Sequence, residues 1–334
     1  MDYQQAGVDL VNAEEAVKAI TALVRSTYNS HVLSDLGGFG GLYRLGGEGT
    51  PTLVATTDGV GTKTEVARAG NRWEGIGQDL VAMCLDDLVC TGARPLFFLD
   101  YLAVGKNEPT LIATLVASMA TALKSAQTAL IGGEIAEHPG SMAPDQVDLA
   151  GFAVGLMDPA TAIGADHVRP GDRIIGLPSP NLRSNGFSLV RAIYADLLTH
   201  VSGGVATKSE LALYEELIAP SVLYAPQMLT FIDDALLHAA SHTTGGGLVN
   251  NLARVIPEGL SATVDATTWQ WPAIFAQLMH DGSVPLAEMR RTFNLGIGIA
   301  LVTTPEKAKV ILDSYPGSVE IGRIEEGNER ARWS

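Results

Sequence analysis

Hydrophobic positions recur at helical spacing over 12–25, 76–91 and 109–126. Between them, alternating or short apolar runs over 53–57, 96–104, 129–131 and 148–157 predict strands. Gly37-Gly38-Phe39-Gly40-Gly41 interrupts the pattern as a loop, and Asp58-Gly59-Val60-Gly61-Thr62-Lys63 reads as a turn closing the first buried strand. A polar connection at 158–172 follows, bracketed by Asp158-Pro159 and Arg169-Pro170-Gly171-Asp172. Beyond it the mixture repeats, with strands at 173–177, 295–303 and 318–324 and helices at 186–198, 221–240, 246–255 and 305–315. No short-period repeat is present. The pattern predicts an α+β chain of mixed sheets with helices, divided into domains 1–166 and 167–334.

The length of 334 residues suits two domains, and 46% apolar with 18% charged residues is a globular balance, not a disordered one. There are 36 glycines, an excess that suggests many tight backbone sites. The net charge of −15 excludes a generic basic patch, so neither nucleic acid nor anionic membrane is an expected partner. Phosphorylated ligands stay compatible with that charge, provided Mg²⁺ and local N–H donors do the binding. Cys84 and Cys90 are too few for a disulfide framework or a four-thiolate zinc site and read as small buried hydrophobes. The N-terminus lacks a basic and then apolar leader, and the run 109–123 is too short to span a bilayer, so a cytoplasmic location is expected.

Three groups of residues could carry chemistry. No P-loop, G-x-G-x-x-G after a strand, H-E-x-x-H or G-x-S-x-G is present. The turn Asp58–Lys63 ends a buried strand, where α/β ligands sit. Its glycines would free N–H groups for an anion, Lys63 would add charge, and Asp58 could take a hard cation. The competing reading is a plain turn shaped by Asp58. Second, Asp86, Asp87, Asp100 and Glu134 lie at element ends or in apolar context, which suggests either an oxygen-ligated Mg²⁺ or solvated ends and structural hydrogen bonds. Third, His242-Thr243-Thr244-Gly245-Gly246-Gly247 and Arg183-Ser184-Asn185-Gly186 each lead into a helix. They could form anion sites with an imidazole beside one of them, or be ordinary caps. Trp269 and Trp271 are read as core packing.

These stretches occur in order with several others. They include Asp2-Tyr3, Ala6-Gly7-Val8-Asp9, Gly37-Gly38-Phe39-Gly40, Asp79-Leu80-Val81-Ala82-Met83-Cys84 and Pro95-Leu96-Phe97-Phe98-Leu99-Asp100-Tyr101. Gly132-Gly133-Glu134, Ser184-Asn185-Gly186-Phe187-Ser188-Leu189-Val190-Arg191, Thr244-Gly245-Gly246-Gly247, Trp269-Gln270-Trp271-Pro272 and Arg291-Thr292-Phe293-Asn294 follow. The series covers nearly the whole chain and closely resembles the phosphoribosylformylglycinamidine cyclo-ligase, or aminoimidazole ribonucleotide synthetase, family.

The resemblance implies a homodimer built through the sheets of the N-terminal domains. It also implies an ATP-dependent ligase of purine biosynthesis that converts formylglycinamidine ribonucleotide to aminoimidazole ribonucleotide, ADP and phosphate. In that reaction ATP phosphorylates the formyl amide oxygen and the substrate's own amine then closes the ring. On the family motifs, Asp58, Asp87 and Glu134 would hold Mg²⁺ and ATP phosphates, and Gly59, Gly61, Thr62 and Lys63 would contact ATP. Arg183, Ser184, Asn185, Gly186, Thr244, Gly245 and Gly246 would receive the substrate, with Asp87, Lys63 and His242 in catalytic roles.

Two departures carry expectations of their own. Arg183 stands where the family often has His and is expected to clamp phosphate rather than act as a base; Asp86 stands where Asn is common and is expected to tighten metal binding. The alternative is a non-catalytic or differently specific ATP-binding relative of the same fold.

Overall fold

The computed structural model describes residues 2, 5–7, 10–34 and 37–334, so Tyr3, Val8 and Asp9 of the opening motif lie outside the described residues. The first half runs α1 (Leu10–Arg25), β1 (Gly41–Arg44), β2 (Thr52–Gly59), α2 (Lys63–Gly70), α3 (Ile76–Cys90), β3 (Arg94–Val104), α4 (Pro109–Ser125), β4 (Ala129–Glu137) and β5 (Val147–Met157). Its five-stranded sheet has the order β1-β2-β5-β3-β4. Only β3 and β4 pair in parallel, and α4 supplies the crossover between them.

The second half runs β6 (Arg173–Pro178), α5 (Phe187–Ile193), α6 (Ala195–Ser202), α7 (Lys208–Ile218), α8 (Ala225–Asp233), β7 (Ala239–His242), α9 (Gly247–Leu252), β8 (Leu260–Val264), α10 (Ala273–Asp281), α11 (Leu286–Thr292), β9 (Ile297–Thr303), α12 (Pro305–Ser314), β10 (Val319–Glu326) and β11 (Ala331–Trp333). Its six-stranded sheet has the order β11-β8-β10-β6-β9-β7. The mixed sheets with helices expected from the sequence are therefore present in both halves.

Several elements differ from the sequence expectation. The strand expected to stop at 131 continues to Glu137, because β4 pairs with β3 along its length. The helix expected over 186–198 breaks at Tyr194, whose backbone (φ −108°, ψ 32°) is not helical. The single helix expected over 221–240 is a nine-residue α8 followed by β7, a fully buried strand that completes the sheet edge beside β9. An apolar run does not distinguish a buried strand from a buried helix, which is why these two merged.

Helix α3 sits between the two halves. It packs on β2 and β5 of its own sheet, on α4, and on α8 and β7 of the second half. All but one of its residues from Asp79 to Cys90 are buried. A Cβ at Gly77 would lie 2.3 Å from the Leu115 carbonyl oxygen, so only glycine permits the close approach of α3 to α4. One apolar core runs from α3 and α4 through Ile175, Leu177, Ile299 and Leu301, while Ile174, Ala300 and Val302 face a second core on the other side of the same sheet. Trp269 and Trp271 pack against these cores, as expected from the sequence.

Gly77→Ala should therefore be destabilising by overpacking, by about 1–3 kcal/mol. Denaturant unfolding of the folded variant tests this, and a midpoint equal to wild type would contradict the close helix contact.

Candidate active site

Three carboxylates on α3 determine the local architecture. Asp79 and Asp86 are seven residues apart, hence on one face of the helix, and both are fully buried. Asp79 pairs with Lys63 Nζ at 2.7 Å and accepts from the Ser221 N–H at 2.8 Å and its hydroxyl at 2.5 Å. Lys63 Nζ also donates to the carbonyls of Arg183 at 3.0 Å and Ala219 at 2.8 Å. Its three donors are thus spent and its exposure is nil. Burial pushes the Lys63 ammonium below its usual range, and Asp79 opposes that. Lys63 is accordingly corrected from a phosphate contact to an anchor holding the first residue of α2 to α3 and to the second half.

Asp86 accepts from Arg183 Nη2 at 2.6 Å and from the backbone N–H groups of Tyr224 and Ala225 at 2.9 and 3.0 Å. The Arg183 guanidinium lies 4.8 Å from the Tyr224 ring centre. Arg183 is 1% exposed. Both expectations for the departures are corrected together: the Arg183 side chain is directed at Asp86 and not at a cleft, and Asp86 is occupied by that arginine and two amides rather than facing a metal. Neither partner was visible in the sequence, because they are 97 residues apart.

Asp87, the next residue, turns to β7, where its Oδ1 lies 2.7 Å from His242 Nδ1. That contact places the Nδ1 proton toward the carboxylate and leaves the Nε2 lone pair, which is buried without a hydrogen-bond partner. Burial lowers His242 to about 3, helped by the positive charges of Arg183 and Arg254. Burial also raises Asp87 to about 7, against the pull of Arg254 and Arg183. Asp58, near the end of β2, is raised to about 6 by burial and by repulsion from Asp87. Arg254 was not singled out in the sequence; it follows α9 and lies 5.4 Å from the Phe39 ring centre.

The glycine-rich segments converge here. Thr62 Oγ1 lies 3.2 Å from Ser188 Oγ, bringing the β2–α2 turn against the start of α5. A Cβ on Gly245 would lie 4.0 Å from Asn185 Nδ2, so the Ser184-Asn185-Gly186 and Thr244-Gly245-Gly246 loops are neighbours. Gly247 (φ +78°) could carry no side chain, since its Cβ would lie 1.9 Å from the Arg290 carbonyl oxygen. Gly61, Asn185, Thr244, Gly245 and Gly246 retain solvent exposure, while Ser184 is buried with its hydroxyl 3.5 Å from that of Ser221.

Glu134 is not part of this group. Across the sheet, Asp58 aligns with Gly151, Gly151 with Asp100, and Asp100 with Gly133. Glu134 follows Gly133 and so faces the opposite side of the sheet, in register with exposed Tyr101. Among the described residues no three His, Cys, Asp or Glu side chains lie close enough to hold a metal ion. Within one chain, Glu134 is thus not brought beside Asp58 and Asp87, as the expected three-carboxylate set requires. The cavity of about 690 Å³ lined by Gly37–Gly40, Cys90, Arg254 and Arg330 contains neither Asp87 nor His242.

Comparison with known proteins decides the family. Residues 39–157 match the family described as AIR synthase related protein, N-terminal domain, and 169–334 match AIR synthase related protein, C-terminal domain. A phosphoribosylformylglycinamidine cyclo-ligase of Xanthomonas campestris is 42% identical over 99% of both chains. One of Alkaliphilus oremlandii is 42% identical over 91% of this chain and 90% of its own. This chain belongs to the phosphoribosylformylglycinamidine cyclo-ligase family. It is a ligase that forms a C–N bond, the aminoimidazole ribonucleotide synthetase of purine biosynthesis. The cyclo-ligase shares its fold with more distant proteins. A thiamine-monophosphate kinase of Stenotrophomonas maltophilia superposes with a TM-score of 0.61 at 21% identity over 96% of each chain. AaThiL complexed with AMPPCP and TMP superposes at 0.63, with 17% identity over 96% of this chain and 94% of its own.

Two outcomes follow from this geometry. Lys63→Met leaves Asp79 buried and unpaired, and should cost about 3–5 kcal/mol of stability in denaturant unfolding; a stable variant with only a raised KM for ATP would return Lys63 to the phosphates. The raised pKa values of Asp58 and Asp87 favour the protonated fold. Stability of the free protein should therefore fall as pH rises from the unfolded value of 3.8 through about 6 and 7. Asp58→Asn should flatten that decline in melting temperature, and an unchanged slope would contradict the raised pKa of Asp58.

Proposed function

We propose that the cyclo-ligase works in the groove between its two halves, with Asp87 and His242 at the centre and ATP as the phosphoryl donor. The observation that carries the reading is the Asp87–His242 pair, whose Nε2 is buried without a partner at the end of the strand that leads into the Thr244-Gly245-Gly246 loop, itself a neighbour of Asn185. Attack of the formyl amide oxygen on the γ-phosphorus releases ADP and converts a poor leaving group into a phosphate ester. The substrate's amine nitrogen then attacks the activated carbon, a C–N bond forms, the C–O bond to phosphate breaks, and the nitrogen gives up its proton. Holding both ends of one substrate in place removes much of the entropic barrier to that closure.

Mg²⁺ fits the residues present. Two neighbouring half-buried carboxylates, Asp58 and Asp87, disfavour joint ionisation, and Mg²⁺ is commonly held by one or two carboxylates together with substrate phosphates. When bound it would neutralise charge on the transferring phosphoryl group. Gly59, Gly61 and Thr62 would offer phosphate contacts from the β2–α2 turn, and Asn185, Gly186, Thr244, Gly245 and Gly246 would seat the ribonucleotide. His242, kept neutral by burial, accepts a hydrogen bond at Nε2 and orients the amine, while Asp87 fixes its tautomer.

A homodimer through the N-terminal sheet is supported by the apolar side chains Leu96, Tyr101, Ile131 and Phe152, which stay exposed in the single chain. No helix of the described residues is long and apolar enough to cross a membrane.

Incubation with formylglycinamidine ribonucleotide and Mg-ATP should yield aminoimidazole ribonucleotide and ADP in equal amounts. Asp87→Asn should fold normally and lose at least ~10²-fold in kcat. Wild-type turnover in that variant at saturating Mg²⁺ would remove Asp87 from the reaction.

A further inference from the structure

The Asp86–Arg183 ion pair is enclosed between the two halves at 2.6 Å. Both side chains are essentially fully buried, Asp86 at 0% and Arg183 at 1% exposed, and they come from opposite halves of the molecule. Burying an ion pair is seldom a net source of stability, because desolvation of both charges offsets their attraction. Its geometric consequences are larger. Asp86 is joined by its other oxygen to the first amides of α8. Arg183 adopts a left-handed backbone (φ +61°), which an L-residue with a long side chain rarely does. That backbone is fixed on both sides: its N–H donates to Asn181 Oδ1 at 3.1 Å and its carbonyl accepts from Lys63. The next residues are Ser184-Asn185-Gly186, the loop beside Gly245. On the α3 side, the residue after Asp86 is Asp87, which holds His242. A single link thus locates both the Asp87 carboxylate and the Asn185 loop relative to one another.

We propose that Asp86 and Arg183 act as one positioning unit that joins the two halves and sets Asp87 against His242. This rests on the reading of Asp87–His242 as the reactive pair. Arg183 is a positioning residue, not a substrate clamp, and the two charges matter together. Removing the guanidinium alone strands a buried carboxylate beside Asp87, and removing the carboxylate alone strands a buried cation whose Nε and Nη1 already lack partners. Removing both eliminates the stranded charge but also the link.

The test uses full-length Asp86→Asn, Arg183→Met, Arg183→Lys and the double variant Asp86→Asn/Arg183→Met, assayed for melting temperature, kcat and KM. Each charge-removing single variant should lose ~10–100-fold in kcat, about 1.4–2.8 kcal/mol, while KM for ATP changes less than ~3-fold. The double variant should lie between the singles and wild type, and Arg183→Lys should recover part of the loss. The Nδ1–H proton resonance of His242, set by its distance to Asp87, should move in Arg183→Lys and in the double variant, which a remote stability effect would not cause. A double variant with wild-type kcat overturns the proposal, as does one no better than the worse single in folding or turnover. An unmoved resonance overturns it too. If the singles fail to fold, the double variant alone decides between these outcomes. Failure of the dyad reading is separately visible, as full activity in Asp87→Asn with the Asp86–Arg183 coupling intact in melting temperature.

Discussion

A carboxylate removed from water must find compensating donors or lose its charge. Helix α3 carries three of them into the boundary between two domains, and the arrangement of the molecule around α3 answers that requirement. Asp79 is met by Lys63 and Ser221, Asp86 by Arg183 and the start of α8, and Asp87 by His242. In each case the second half contributes at least one donor. The helix cannot be withdrawn from the second half without stripping donors from all three acids, so the same interactions that dock the halves also fix His242.

The division of labour among these acids follows from how completely each is matched. Asp79 and Asp86 receive several donors each and have no exposure to solvent. Asp87 keeps part of its surface, with its side chain 16% exposed. It is the least satisfied of the three and the nearest to Asp58 in charge coupling. A group in that state favours a cation or a proton, and this sets Asp87 apart from the two fully enclosed acids on the same helix.

Much of this was legible in the chain. The strong periodicity of α3 and α4, the strand at 148–157 and the turn at Asp58–Lys63 lie where the pattern of apolar residues puts them. The segments around Asn185 and Gly245 also lead into helices, α5 and α9, where their glycines put them. What the sequence could not supply was pairing at a distance. Lys63 looks like a phosphate ligand in its own glycine-rich context, and only the fold reveals Asp79 beside it. Arg183 and Asp86 each look like a change in charge at a binding site, and only together do they neutralise one another. Glu134 follows two glycines as a ligand might, but strand alternation turns it to the far face of the sheet. The apolar run of 221–240 concealed a helix, a turn and an edge strand whose identities depend on neighbours supplied by β9.

The apolar core that passes without interruption from α4 through the six-stranded sheet has a consequence for how ligands enter. Two-domain enzymes often admit substrate by swinging one lobe about a flexible joint, which needs an interface thin enough to part. Here such a swing would tear a shared interior and expose the buried acids of α3. The continuous interior therefore holds the two halves together as one block.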